Sequence, residues 1–227
     1  MTLQLRNEGL RINHKTVERL MSELGLKCQI RKKRYRSYKG TVGRIAPNIL
    51  NRDFKADRPC QKLVTDVSQI SIGAHKSFLS PILDLFNGEV LCYDISDRAD
   101  LEQIGKMLKR MFTITDNQPC GNDILLHSDQ GWQYQHRSYQ EALAEHGIKQ
   151  SMSRKGNCLD NSIMENFFGL MKSELLYAKD YKSMEEFKRD LAEYIQWYNN
   201  KRIKYKINGM SPAEYRAQYH KTIKNNV

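Results

Sequence analysis

Three acidic residues stand where acids are costly or sharply placed. Asp66 interrupts the apolar run Leu63-Val64-Thr65-Asp66-Val67, which otherwise reads as a strand, and aspartate is disfavoured in strand interiors. A carboxylate among such neighbours needs a cation or a hydrogen-bonding partner. Asp129 follows a second expected strand ending at His127, within His127-Ser128-Asp129-Gln130-Gly131-Trp132-Gln133-Tyr134. In open α/β sheets sites gather at strand ends, and Gly131 lets the chain turn tightly beside the acid. Glu165 belongs to an expected helix whose core stripe is Met164, Phe168, Met171 and Leu175. It lies about 100° around from Met164, and Lys172 falls on almost the same line two turns on. Singly, these are a hydrogen-bonded structural acid, a turn acid and a solvated pair. Together, carboxylates on two strands and a helix suit two Mg²⁺ or Mn²⁺ ions about 4 Å apart around an in-line phosphoryl displacement. One ion would activate a water or a 3′-hydroxyl while the other stabilised the leaving oxygen.

The elements that must position these acids are legible as well. Leu63 to Ile70, Phe78 to Leu85 and Glu89 to Ile95 are strand-like runs, the last two joined through Asn87-Gly88, a strong hairpin signal. Leu101 to Phe112 reads as a helix, Asp123 to His127 as a fourth strand, and Tyr139 to His146 as a helix closed by Gly147. A short fifth strand is expected at 148–150, then amphipathic helices at about 161–177 and 184–199. The order describes a mixed sheet covered by helices, of which the ribonuclease-H-like fold is one form. Upstream, Asn13 caps an expected helix from His14 to Leu24, with Gly25 placed for a left-handed cap. Leu3, Leu5 and Leu10 suggest a preceding helix turning at Gly9, so the pair reads as a helix-turn-helix piece or a plain helical hairpin.

Charge separates the chain into parts. The 227 residues carry a net charge of +11. Residues 1 to 60 hold 15 Lys and Arg against 5 Asp and Glu, whereas residues 61 to 180 hold 12 against 16. Between Lys27 and Arg44 there are eight basic residues and no acidic one, with Tyr35 and Tyr38 interleaved. Such a stretch neutralises phosphates and releases their counterions, which points to salt-sensitive nucleic-acid binding over a merely solvated linker. Cys28, Cys60, Cys92, Cys120 and Cys158 are odd in number and scattered, without zinc-finger spacing, and are expected to be reduced, mostly buried thiols. No apolar run reaches the ~20 residues of a membrane span and no signal peptide is apparent, so a cytoplasmic protein is expected.

The motifs LVTDVSQI, HSDQGWQYQ and SMSRKGNCLDNSIMENFFGLMKSELL resemble the DDE signature of the large two-reading-frame insertion-sequence transposases (the OrfB type), relatives of retroviral integrases. The 35 residues between Asp129 and Glu165 match that family's D,D(35)E spacing, and Lys172 matches its basic position. Trp197-Tyr198-Asn199-Asn200-Lys201-Arg202 and Asn208-Gly209-Met210-Ser211-Pro212 resemble its C-terminal segment. The resemblance implies an α/β, ribonuclease-H-like mixed five-stranded sheet flanked by helices, with a small helical N-terminal segment. It divides the chain into a partial helix-turn-helix and basic arm (1–45), a linker (46–60), an integrase-like catalytic core with C-terminal helices (61–215) and a basic tail (216–227).

It also implies an activity: metal-dependent 3′-end cleavage and strand transfer at insertion-sequence ends, that is, DNA integration and recombination. Asp66, Asp129 and Glu165 would be the catalytic metal ligands, with two Mg²⁺ or Mn²⁺ ions when DNA is bound. Lys172 would contact DNA near the scissile phosphate. Ser153, Lys155, Asn157 and Asn161 would touch DNA or order the site, although Asn157, Asp160 and Asn161 read equally well as turn and cap residues. Arg31, Lys32, Lys33, Arg34 and Arg36 would contact DNA from the arm. The implied partners are double-stranded DNA (the inverted repeats and the target), an upstream-frame helix-turn-helix protein or fusion half, and further copies of the chain on DNA, with nucleoid association when bound. The family's helix-turn-helix normally begins before the position of Met1, so a downstream-frame product or a truncated copy is expected. The zinc-binding His and Cys residues of retroviral integrase N-terminal domains have no counterpart. The rival readings are another ribonuclease-H-like nuclease and a non-catalytic DNA-binding regulator from a truncated transposase gene.

Overall fold

The computed structural model describes residues 1–26, 43–117 and 123–225. Its centre is a mixed sheet. Strand β1 (Lys62–Thr65) is followed by β2 (Ser68–Ile72), β3 (His75–Asp84) and β4 (Val90–Ser96), and later by β5 (Leu125–Ser128) and β6 (Lys149–Met152). The expected five-stranded sheet has six strands, because the first expected strand, Leu63 to Ile70, is split. Leu63 faces Asp84 and Thr65 faces Ile82, and β2 resumes with Ser68 opposite Leu79. The two pieces therefore keep one register along β3, with a gap at Asp66 and Val67.

The gap has a local cause. In that register Asp66 and Val67 fall opposite Pro81 and Ser80. Proline lacks an N–H and is rare in a central strand such as β3. Thr65 donates its hydroxyl to the Pro81 carbonyl at 2.9 Å, so that carbonyl and the donor-less nitrogen share the edge facing Asp66. Within the gap the Val67 N–H donates to the Asp66 carboxylate at 2.7 Å. β3 carries β4 on its other edge, while β1 continues through the parallel strands β5 and β6.

Both faces of the sheet are covered, and strand alternation sorts the side chains between them. Val64, Leu83 and Leu125 pack with α6 (Ser162–Met171) and α7 (Met184–Asn200) through Met164, Phe167, Phe168, Phe187 and Leu191. Their neighbours Leu63, Ile82 and Leu126 pack on the opposite face with α3 (Leu101–Asp116) and α5 (Arg137–Glu145) through Ile104, Met107, Met111, Tyr139 and Leu143. A short helix α4 (Trp132–Gln135) precedes α5. The helix expected over 161–177 is three pieces: a 3₁₀ turn at Cys158–Asn161, α6, and a π-helical turn from Lys172 to Leu176. Cys60 and Cys92 are buried free thiols, while Cys28 and Cys120 lie outside the described residues.

The flanking segments are fastened to this sandwich. Helices α1 (Thr2–Asn7) and α2 (His14–Glu23) form the expected pair, with Gly9 at φ +89° between them and Asn13 capping α2. The Asn7 amide donates to the Gly209 carbonyl at 3.0 Å, which joins α1 to the C-terminal region. The stretch expected as a basic tail, 216–227, is helical through Asn225 as the end of α8 (Pro212–Asn225). Residues expected as a linker are stitched to the core: Ser151 Oγ accepts from the Ile49 and Leu50 N–H groups at 2.9 and 3.1 Å, and Leu50 is buried.

Ser151 is thus a structural rivet. Ser151→Ala leaves two backbone donors without their acceptor in a buried place, and should destabilise the fold by about 2–3 kcal/mol. The thermal midpoint is expected to fall by roughly 5–10 °C. An unchanged midpoint would show that water satisfies these donors instead.

Candidate active site

The two aspartates meet because of strand register. β1 and β5 are parallel, with Leu63 opposite Leu126 and Val64 opposite His127. Asp66 and Asp129 stand just past the ends of these paired strands, where the register continued by two residues would set one beside the other. Alternation also fixes their face. Val64 and Leu125 point to the α6–α7 layer, so Asp66 and Asp129, at even steps beyond them, point there as well. Glu165 approaches from the same layer, in the first turn of α6, whose Met164, Phe167, Phe168 and Met171 bury the opposite side.

These groups act on one another through their charges. The carboxyl of Asp66 is held well above the usual range, first by burial, then by the negative charges of Asp129 and Glu165, while the Val67 N–H and Lys172 pull it back. Burial also raises Asp129, opposed by the Gly131 N–H that it accepts at 2.8 Å. The phenol of Tyr134, fully buried behind β1, is raised by burial and then by both aspartates. The charges of Asp129, Glu165 and Lys172 therefore all act on the Asp66 carboxyl, and one oxygen of each aspartate accepts from the backbone just after it.

The donor set is hard oxygen, which suits a divalent cation of the magnesium kind. Among the described residues no three acidic, His or Cys side chains stand close enough to enclose an ion. As they stand the three carboxylates do not enclose an ion, and a magnesium-type cation would draw its remaining ligands from waters and a phosphate. Asn161 supports this fit: its amide donates to Asp66 at 3.2 Å, and its carbonyl oxygen is buried without a partner, an acceptor for a coordinated water.

Gly131 earns its place differently from the expected tight turn. Its backbone is ordinary, at φ −56°, but a Cβ there would come within 2.9 Å of the Asp129 carboxylate and 2.5 Å of the Gln133 amide. Only glycine leaves room for the acid.

The other expected contacts fall in varied places. Lys155 is exposed at the loop after β6, whereas Ser153 is buried and faces inward, accepting from or donating to His127 Nε2 at 3.1 Å. Asn157 accepts from Arg52 at 2.9 Å, and Asn161 is buried against Asp66. Arg31, Lys32, Lys33, Arg34 and Arg36 lie outside the described residues.

Two groups escaped sequence reasoning. His127 is fully buried, and burial lowers its pKa to about 4, so the ring is neutral. Its tautomer follows from its partners. Ser151 Oγ already accepts two N–H groups, so its own proton goes to His127 Nδ1 at 2.8 Å, and Nε2 carries the hydrogen toward Ser153. The second group is Asp160 with Arg154, Arg52 and Asn48, brought together from distant parts of the chain. A histidine and an acid each enclosed by small polar residues were the available signals.

Mutual repulsion of the acids costs stability when no cation is present. Asp66→Asn removes it, and the new amide can donate to the orphaned Asn161 carbonyl. The thermal midpoint in EDTA is expected to rise by a few degrees, equivalent to about 1 kcal/mol. A fall would mean that the acid is a structural partner in its own right.

A model described as Integrase core domain matches residues 56–158, another of that description matches 165–219, and an HTH-like domain matches 1–34. The chain is 52% identical over 218 residues to a putative transposase for insertion sequence element IS150 of Escherichia coli (strain K12), covering 96% of this chain and 76% of that protein. It is 48% identical over 218 residues to an uncharacterized transposase-like protein of Haemophilus influenzae, covering 96% and 99%. Among solved structures, the HTLV-2 integrase catalytic core domain in complex with magnesium superposes with a TM-score of 0.53 at 14% identity, covering 70% of this chain and 98% of that one. At that identity the likeness concerns the fold, which is ribonuclease-H-like. By sequence and architecture alike, the chain belongs to the insertion-sequence transposases built on an integrase core domain.

Proposed function

We propose that this chain is a DNA transposase that cuts the 3′ ends of an insertion sequence and joins them to target DNA, with Asp66, Asp129 and Glu165 as its catalytic carboxylates. The observation that carries the reading is that Asp66 and Asp129 follow the ends of adjacent parallel strands, with Asp129, Glu165 and Lys172 all acting on the Asp66 carboxyl. Acids forced together in this way are unfavourable unless a cation lies between them. The three carboxylates would hold two Mg²⁺ or Mn²⁺ ions. When bound, these ions activate the attacking water or 3′-hydroxyl and neutralise charge on the leaving oxygen.

The chain's own groups supply the rest. Lys172, which lowers the Asp66 carboxyl, would hold a phosphate oxygen beside the cluster. Asn161 orients Asp66, and Gly131 keeps space for Asp129. Residues 1–45 would grip the element end, with the basic arm on the phosphates. Residues 61–215 would carry out the chemistry, and exposed Lys155 would meet DNA at the rim. Pairing two element ends implies at least two copies on DNA, and an upstream-frame helix-turn-helix protein or fusion half would complete end recognition. No helix among the described residues is long and apolar enough to cross a membrane.

A labelled duplex bearing the element's inverted repeat should be nicked and joined by the wild-type chain in Mg²⁺, with any upstream partner supplied. Glu165→Gln should lose at least about a hundredfold in rate while binding the end normally. Gly131→Ala should lose about tenfold with its fold intact. End binding by a wild-type chain that neither cuts nor joins in Mg²⁺ or Mn²⁺ would point instead to a DNA-binding regulator.

A further inference from the structure

Asp160 has a fully buried side chain, and it accepts five hydrogen bonds from three residues in two parts of the chain. Asn48 donates its amide at 3.0 Å and Arg52 its Nε at 2.7 Å. Arg154 donates its backbone N–H at 3.0 Å and its guanidinium at 2.9 and 2.8 Å. These bonds, those of Arg154 foremost, hold the carboxyl well below its usual range, so a charge is buried and fully met. The next residue, Asn161, holds Asp66, and four residues on comes Glu165.

The opposite half of this cluster is strained. Asn51 and Arg52 are consecutive non-glycine residues in the left-handed region, at φ +42° and +64°. Such conformations persist only where their surroundings hold them, and they gather where strain serves function. Asn48 accepts the Asn51 N–H at 2.8 Å, and the Arg52 guanidinium spans Asp160 and Asn157. The Arg52 side chain is 40% exposed. Its Nε thus meets a fully buried carboxylate while part of the guanidinium is open to solvent and to other charges.

We propose that the Asn48–Arg52 turn and Asp160 form a latch that couples the segment leaving the HTH-like domain to the catalytic cluster, with Asp160 and Arg52 as positioning residues for the transposase reaction. The turn lies where the chain enters the core, and its hold on Asp160 sets the 3₁₀ turn at Cys158–Asn161. That turn places Asn161 against Asp66 and begins the helix that carries Glu165. DNA gripped upstream would therefore act on the geometry of the acids through Arg52. The proposal rests on the catalytic reading of the three carboxylates.

The test is placed on Arg52, because loss of Asp160 would strand Arg154 and threaten the fold. Arg52→Gly adopts the left-handed conformation freely, so relief of strain offsets the lost contacts and the thermal midpoint should stay within about 3 °C. End binding should stay within about twofold, while single-turnover cleavage of the inverted-repeat duplex falls at least about tenfold. The Mg²⁺-induced rise in thermal midpoint should shrink, and Arg52→Lys should recover part of both properties, since an ammonium still reaches Asp160. Asp66→Asn serves as the control. If Asp66→Asn is inactive and Arg52→Gly cleaves at the wild-type rate, the latch is wrong and the catalytic reading stands. Loss of cleavage matched by an equal loss of end binding also overturns it, since Arg52 would then serve DNA binding alone. An Asp66→Asn chain that still cleaves removes the catalytic reading and the latch with it.

Discussion

Two like charges set at the ends of adjacent strands are the constraint around which the molecule is arranged. Asp66 and Asp129 directly follow adjacent parallel strands of matched register, and both strands are buried on both faces, so the points from which the acids start are fixed. The repulsion therefore cannot relax by displacement of the strands. It is met by local devices: the Val67 and Gly131 N–H groups, the Asn161 amide and the field of Lys172. None of these removes the unfavourable energy. What remains is a local excess of negative charge that a bound cation would relieve.

Pro81 shows how finely the scaffold is adapted to this task. Central strands exclude proline because the ladder needs its N–H. Here the missing donor falls opposite Asp66, where the ladder breaks and the Val67 N–H meets the carboxylate instead of a strand. A residue that reads as a defect in β3 thus sits at the break where the acid follows β1.

Much of this was legible in the sequence, and the failures have reasons. Asp66, Asp129 and Glu165 stood out because each breaks a pattern that is otherwise apolar or regular, and the hairpin at Asn87-Gly88 announced itself by turn chemistry. The split of the first strand was not legible, since Asp66 and Pro81 are fifteen positions apart and only their register joins them. The stitched linker was missed because residues 46–60 are polar and contain Pro47 and Pro59, which read as loop. Their backbone bonds go to Ser151 and their side chains to Asp160, contacts that no local pattern encodes. The role of the C-terminal region was not legible either. Asn199 caps the β4 edge by pairing with both backbone groups of Val90, Lys204 donates to the Gly88 carbonyl, and Arg216 pairs with Glu89. They clamp the β3–β4 hairpin on which Pro81 sits.

Two polar paths run from the entering chain to the acids, and they differ in character. One passes from Ile49 and Leu50 through Ser151 to neutral His127, Ser153 and the backbone of Ser128, next to Asp129. Every proton on it has one place, because Ser151 has no second acceptor site to spare and His127 is too deeply buried to charge. Such a path is rigid, and it suits holding Asp129. The other path, through Arg52 and Asp160 to Asn161 and Asp66, is made of charges with partly exposed guanidiniums and a strained turn at its outer end. Charged partners at a surface exchange readily with competing charges, phosphates among them. One aspartate is therefore fixed by neutral hydrogen bonds and the other by a path open to electrostatic influence, so a DNA backbone arriving at the entry segment has a direct physical route to Asp66 and little purchase on Asp129.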